Sequence, residues 1–184
     1  MTEKEKRDLG EIYNPNYDKE LINEMLKAKD LCYEYNNLKP SEIEKREEII
    51  NKILGKAGKN IRIEQPFLCD YGYNMSVGDN FYANHGLIIL DAAKVEIGDN
   101  VFIAPNCNIY TAYHPINTEE RNEGLEYAKS VKIGNNVWIG GNVTILPGVT
   151  IGDNSTIGAG SVVTKDIPAN VVAYGNPCSV KKNI

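Results

Sequence analysis

The sequence predicts a mainly β fold, a parallel β-helix of six-residue repeats with a short helical region at its N-terminus. An aliphatic residue occupies every sixth position from 133 to 163, and glycine directly follows four of them (Ile133, Ile139, Ile145, Ile151, Ile157 and Val163; Gly134, Gly140, Gly152 and Gly158). In an α-helix, side chains six residues apart would point in different directions around the helix surface. A simple strand, with its period of two, would not require glycine at a fixed position of the repeat. Stacked coils explain both features, because short strands form the faces and glycine or asparagine turns the corners.

The first 60 residues predict a helical region ahead of the β-helix. Residues 1–17 are charged and then rich in turn formers, which indicates an arm or a short helix. Apolar residues between 21 and 35 recur at spacings of three and four, so we expect a helix that is capped by Asp18. A second helix is predicted to open with a capping box at residues 41–44 and to end near Gly55. Two such helices bury little surface alone, so they should pack against the end or the side of the solenoid.

The remaining residues, 61–184, are predicted to form the β-helix domain. Its pattern begins at Ile63 and shifts by two residues before Val77 and again before Ile97, additions that a corner can absorb. Residues 111–130 lack the pattern, yet the repeat resumes in phase at Ile133. A polar, acidic loop that interrupts a rigid scaffold in this way indicates function. Residues 171–184 are predicted to supply a last strand, a closing turn and the cap of the open end.

Composition excludes several classes of partner. The net charge of −5 disfavours nucleic acid and anionic membranes, which select basic surfaces. No apolar run reaches the roughly 18 residues of a membrane span, and no signal peptide opens the sequence. The four cysteines lie far apart without a C-x-x-C pair, which favours reduced thiols in a cytoplasmic protein.

Several strings of residues resemble the maltose/galactoside O-acetyltransferase family of hexapeptide-repeat acyltransferases, and the resemblance covers nearly the whole chain. They lie at residues 71–74, 80–84, 97–100, 110–115, 133–141 and 163–168. The resemblance implies a left-handed β-helix and a homotrimer with its sites between subunits. It also implies acetyl transfer from acetyl-CoA to a hydroxyl of a sugar such as maltose, glucose or a galactoside, with no metal required for catalysis.

His114 is the predicted general base. It lies in the Thr-Ala-Tyr-His-Pro string of the loop that interrupts the repeat, and an imidazole can take the hydroxyl proton and pass it to the leaving thiolate. The alternative is a histidine that only hydrogen-bonds within a surface loop. His85, the other histidine, is interpreted as structural or peripheral. A zinc site of three histidines, as in carbonic-anhydrase-like β-helix proteins, would need a carboxylate in place of the third.

The acceptor-binding residues implied by the resemblance are Asp18, Asp70, Tyr82, Asn84 and Asp91. Carboxylates suit sugar hydroxyls because each can accept two hydrogen bonds. Asp18 could instead only cap a helix, and Asn84 could instead be a left-handed corner residue. The family has a serine at the position of Asp70 and an aspartate at the position of Ala92, so the acceptor side differs from the family pattern.

The acetyl-CoA-binding residues implied by the resemblance are Asn84, Trp138, Gly141, Ala159, Thr164, Lys165 and Lys182. The backbone N–H of Gly141 would face the developing oxyanion, and the two lysines would meet the phosphates. Trp138 could line the pantetheine tunnel or lie in the trimer interface. Ser179 stands where the family often has an arginine.

Two other functions compete with sugar acetylation. One is acetyl transfer to another small hydroxyl acceptor, a xenobiotic or an amino acid. The other is a non-catalytic trimeric β-helix that serves as a scaffold, which the loop around His114 and the residues Thr164 and Lys165 disfavour.

Overall fold

The helical region of the computed structural model, which describes residues 1–184, contains three helices. They are α1 (Glu3–Asp8), α2 (Lys19–Asn37) and α3 (Ile43–Ile53). The side chain of Asp18 accepts the N–H of Leu21 at 2.9 Å, so the predicted cap of α2 is confirmed. The predicted capping box of α3 is wrong, because the N-cap residue is Glu42 and its carboxylate accepts the N–H of Lys39 instead, at 2.9 Å.

The solenoid has three faces, each a sheet of parallel strands from successive coils. Face 1 contains β1 (Lys56–Ala57), β4 (Met75–Val77), β7 (Val95–Ile97), β12 (Val131–Ile133) and β15 (Thr150–Ile151). Face 2 contains β2 (Arg62–Ile63), β5 (Tyr82–Ala83), β8 (Phe102–Ile103), β13 (Trp138–Ile139), β16 (Thr156–Ile157) and β18 (Val171–Tyr174), with β19 (Ser179–Asn183) antiparallel to β18 at its end. Face 3 contains β3 (Phe67–Cys69), β6 (Leu87–Leu90), β9 (Asn108–Tyr110), β14 (Thr144–Ile145) and β17 (Val162–Val163).

The aliphatic residues of the repeat point inward and stack in register from coil to coil. Ile97 pairs with Ile133, and Ile133 pairs with Ile151. All of these side chains are buried in one continuous core. The predicted fold class is therefore confirmed, since a residue that recurs every sixth position occupies the same inward place on successive faces.

Helices α2 and α3 pack on the first coil of this core. The side chains of Cys32 and Ile50 belong to the same buried cluster as Ile63. The side-chain amide of Asn36 donates to the carbonyl of Phe67 and accepts its N–H, both at 2.9 Å. These contacts cover the apolar end that the first coil would otherwise expose, as the amphipathic pattern predicts.

The corner between faces 1 and 2 carries a ladder of asparagines with left-handed backbone conformation. They are Asn60, Asn80, Asn100, Asn136, Asn154 and Asn170. The side-chain amide of each of the first five donates to the side-chain oxygen of the next ladder residue, at 2.9 to 3.1 Å. Asparagine tolerates this conformation better than most residues, and the ladder keeps successive coils in register.

The corner between faces 3 and 1, called here the 3–1 corner, is the irregular one. Five residues, 70–74, separate the buried residues Cys69 and Met75 there. Three residues, 146–148, separate the equivalent buried residues Ile145 and Val149 of a later coil, and this difference is the shift of two in the pattern. The interrupting loop leaves the same corner. It forms a hairpin of β10 (Ala112–Tyr113) and β11 (Tyr127–Ala128) around α4 (Thr118–Asn122).

Candidate active site

A cavity of about 550 Å³ opens at the 3–1 corner. The N-terminal arm, α2, the first corner and the interrupting loop all contribute to its walls, through Tyr13, Met25, Asp70, Tyr71, His114 and Glu126. Two of the predicted site residues, Asp70 and His114, therefore share one cavity although 44 positions separate them in the sequence. The cavity exists because the corner is widened and the loop folds back over it.

The one side-chain hydrogen bond of His114 defines its tautomer. Its Nδ1 lies 2.9 Å from the carbonyl oxygen of Leu125, and because a carbonyl can only accept, Nδ1 carries the proton. Nε2 of the neutral ring therefore holds a lone pair, and half of the side chain is exposed (50%). The imidazole is fixed at one nitrogen and free to accept a proton at the other, which is the arrangement that a general base requires.

Glu126 and Tyr13 also belong to this site, although the sequence did not indicate them. Oε1 of Glu126 lies 3.7 Å from Nε2 of His114, and Oε2 accepts the Tyr13 hydroxyl at 2.8 Å. The backbones of Tyr13 and Glu126 also exchange two hydrogen bonds, at 3.0 and 2.9 Å. Burial, and next the charge of Glu126, raise the pKa of Tyr13, so its hydroxyl stays protonated as a donor.

Asp91 lies behind the cavity wall and does not face the cavity. Its side chain has no exposed surface, and Oδ1 accepts the N–H groups of Asp70 and Tyr71 at 3.1 and 2.8 Å. In this structure the carboxylate does not line the cavity, and its contact with an acceptor stays a prediction. Asp91 instead holds the turn that presents Asp70, whose own pKa is raised by burial. Asp18 is occupied as the cap of α2.

The buried carboxyl of Asp91 predicts a stability that depends on pH. Burial raises the pKa of Asp91 to about 7, while the two backbone N–H donors act against the shift, and Oδ2 has no partner. Below about pH 4 the carboxyl is protonated in both the folded and the unfolded chain. Between about pH 4 and 7 only the unfolded chain loses the proton, so the folded state loses stability as pH rises.

Asp91→Asn should therefore raise the free energy of unfolding by about 2–4 kcal/mol at pH 8 and change it little at pH 4. Thermal or denaturant melting at the two pH values measures the difference. Asp99→Asn, at an exposed corner carboxylate whose Oδ1 likewise accepts a backbone N–H, gives the baseline. An equal effect of Asp91→Asn at both pH values would show that ionisation of this buried group does not matter.

The other predicted residues lie away from this cavity. Asn84, Gly141 and Ala159 lie at the corner between faces 2 and 3, where the carbonyl of Gly141 accepts the N–H of Gly160 at 2.8 Å. The Asn84 side chain accepts the N–H of His85 at 2.8 Å, and Nδ1 of His85 donates to the Gln65 carbonyl at 2.7 Å. The width of face 3, about 10–15 Å for strands of two to four residues and their ends, separates this corner from the 3–1 corner, where the loop that carries His114 begins.

Face 2 carries a stripe of aromatic side chains that point outward. Tyr82 pairs with Phe102, and Phe102 pairs with Trp138, whose surface is 57% exposed. Lys182 lies on β19 at the end of the same face. Thr164 and Lys165 follow β17 and lie at the 3–1 corner, beyond the coil that carries the loop. A single chain thus distributes the predicted acetyl-CoA residues over two corners and one face.

No group of three or more histidine, cysteine, aspartate or glutamate side chains is arranged to hold a metal ion. The four cysteines are buried and free, and the sulfurs of Cys32 and Cys69 lie 3.5 Å apart. None of the helices combines the length and the apolar character needed to cross a membrane.

Comparison with known proteins gives two matching family models. Residues 8–58 match the maltose acetyltransferase hexapeptide capping motif, and residues 130–165 match the bacterial transferase hexapeptide of six repeats. The galactoside O-acetyltransferase of Escherichia coli strain K12 is 52% identical over 159 residues, which are 86% of this chain and 78% of that protein. The chain belongs to the maltose/galactoside O-acetyltransferase family.

Solved structures of this family have the same fold. A maltose O-acetyltransferase from Clostridium difficile 630 superimposes with a TM-score of 0.98 at 58% identity, over 100% of this chain and 98% of that chain. A galactoside acetyltransferase solved in complex with coenzyme A has a TM-score of 0.97 at 48% identity, over 100% of this chain and 92% of that chain. The resemblance that the sequence strings indicated is confirmed, and the protein is an acyltransferase enzyme of the hexapeptide-repeat class.

Proposed function

We propose that this protein transfers an acetyl group from acetyl-CoA to a hydroxyl of a sugar such as maltose, glucose or a galactoside. The single observation that carries the mechanism is the geometry of His114, with Nδ1 donating to a carbonyl and Nε2 free at the edge of the cavity. The coenzyme A complex of the related galactoside acetyltransferase supports the donor. The cavity suits a sugar because carboxylates and tyrosines line it beside apolar side chains.

The reaction proceeds by direct attack. The acceptor oxygen attacks the thioester carbonyl while its proton moves to Nε2 of His114. The backbone N–H of Gly141 faces the oxyanion of the tetrahedral intermediate, and the proton then passes from His114 to the departing thiolate. Asp70 orients the acceptor, and Lys165 and Lys182 meet the phosphates of the donor. No covalent enzyme intermediate is needed, because the base alone makes the hydroxyl a competent nucleophile.

In this proposal the active enzyme is a trimer of three identical chains. The outward side chains of face 1 are polar, among them Lys56, Ser76, Glu96 and Lys132. Faces 2 and 3 instead expose large apolar side chains, Phe102 and Trp138 on face 2 and Leu68 on face 3. Face 2 of one chain against face 3 of the next buries these side chains, and three such contacts close a ring. This arrangement brings Tyr82, Asn84 and Trp138 of one chain toward His114 of its neighbour.

Phe102→Asp should therefore dissociate the trimer and remove most of the activity, because a carboxylate in an apolar interface is costly. Sedimentation of the wild-type protein should give about three times the 20.4 kDa chain mass. Thr150→Asp, the same change at an outward position of polar face 1, should leave the trimer intact. A wild-type monomer with full activity would contradict the proposal that sites lie between subunits.

Thiol release from acetyl-CoA tests the function. The panel should contain maltose, glucose and a galactoside, with serine and a simple aromatic alcohol as acceptors outside the sugar class. We expect a sugar to raise the rate well above that without acceptor. A rate raised only by the non-sugar acceptors would favour the xenobiotic or amino-acid alternative, and a rate raised by none would contradict acetyl transfer to a small hydroxyl.

A further inference from the structure

Two consecutive residues of the interrupting loop lie next to the two ring nitrogens of His114. The carbonyl of Leu125 accepts the Nδ1 proton at 2.9 Å, and the carboxylate of Glu126 lies 3.7 Å from Nε2. The second distance is longer than a hydrogen bond, and a carboxylate has no hydrogen to donate to an unprotonated Nε2, so the lone pair of this nitrogen stays available for a proton. The same distance is short enough for an ion pair once Nε2 carries a proton.

Glu126 is itself held in place from the N-terminal arm. Its Oε2 accepts the hydroxyl of Tyr13, a side chain with 1% of its surface exposed, and the two backbones pair in both directions. Because the Tyr13 hydroxyl fixes Oε2, the other carboxylate oxygen, Oε1, faces the imidazole of His114. A carboxylate that is fixed before the reaction stabilises a charge that develops later without the cost of reorganisation.

We propose that Glu126, held by Tyr13, is a positioning residue that stabilises the protonated form of His114. The proposal rests on the proposed function, in which His114 is the base. The acceptor hydroxyl loses its proton to Nε2 as the new C–O bond forms, and the proton later moves from Nε2 to the thiolate as the C–S bond breaks. Glu126 takes no part in these proton transfers, so the balance of the reaction does not change.

Glu126→Gln tests this role, because it removes the charge and keeps the shape and an acceptor for the Tyr13 hydroxyl. We expect kcat to fall about 10–100-fold while the KM for acetyl-CoA changes less than about twofold. Tyr13→Phe, which removes only the hydroxyl, should lower kcat in the same way but less. Glu120→Gln, in the exposed helix of the same loop and without a side-chain partner, should leave kcat unchanged.

A double-variant cycle separates this role from a structural one. In the His114→Ala background, Glu126→Gln should change kcat less than about twofold, because no imidazolium remains to be stabilised. An equal loss in both backgrounds, or a Glu126→Gln variant with more than half of the wild-type kcat, would overturn the inference. If His114→Ala alone keeps full activity, the base assignment fails and this inference fails with it. If His114→Ala loses most of its activity while Glu126→Gln keeps full activity, the base assignment stands and only the role proposed for Glu126 is wrong.

Discussion

His114→Ala should lower kcat about 10²–10⁴-fold, the range that a lost general base typically costs. A neutral hydroxyl attacks a thioester slowly without a proton acceptor, and Nε2 of His114 is the free imidazole nitrogen at the edge of the cavity. The affinity for acetyl-CoA and the assembly of the chains should stay nearly unchanged, since the side chain is half exposed and makes one hydrogen bond. Steady-state thiol release with the best acceptor measures the effect.

His85→Ala is the matched control for this experiment. His85 also donates from Nδ1 to a carbonyl, that of Gln65, but it lies at the corner between faces 2 and 3. Its removal should leave kcat within about threefold of the wild type. If His114→Ala keeps more than about a tenth of the wild-type kcat, the base is elsewhere, and a large loss in His85→Ala would move it to that corner.

Gly140→Ala should lower the free energy of unfolding by about 2–4 kcal/mol, a large effect for one methyl group. A Cβ at this position would lie 2.5 Å from the backbone nitrogen of Ala159, 2.9 Å from its Cα and 3.0 Å from the carbonyl oxygen of Ile157. All three atoms belong to the backbone of the next coil, so no flexible side chain can move aside. The coils would have to separate at this corner.

The adjacent glycine provides the control. A Cβ on Gly141 would meet the carbonyl oxygen of Pro105 at 3.3 Å and the Cδ of the same residue at 4.0 Å, and no other atom within 4 Å. Gly141→Ala should therefore cost less than about 1 kcal/mol in denaturant melting. Equal losses for the two variants would mean that loss of glycine itself, and not the approach of the next coil, determines stability at this corner.

The sequence predicted the solenoid well because its repeat is local. Ile133, Ile139 and Ile145 each specify an inward position on one face, and coil stacking then follows from the constant period. The helix start at Ile43 was less predictable, because Ser41 fits a cap in sequence, whereas the fold places the N-cap at Glu42, which makes no side-chain cap hydrogen bond. Local patterns identify elements more securely than their ends.

The site was only partly predictable for a related reason. His114 stood out because it lies in the segment that breaks the repeat. The partnership of Tyr13 with Glu126 spans 113 positions and follows no period, so only the folded chain reveals it. The burial of Asp91 likewise depends on how the backbone at Asp70 and Tyr71 turns above it. A carboxylate at a corner looks the same in sequence whether it faces a cavity or supports one.

The asparagine ladder between faces 1 and 2 has a direction. Each of the five bonds runs from an amide N–H to the side-chain oxygen on the next coil toward the C-terminus, so the amide dipoles are aligned along the corner. An aspartate at Asn100 could still accept from Asn80, but it has no hydrogen to donate to Asn136, and two oxygens would face each other there. Deamidation of one ladder asparagine would therefore weaken the contact of its coil with the next coil toward the C-terminus and leave the contact toward the N-terminus intact.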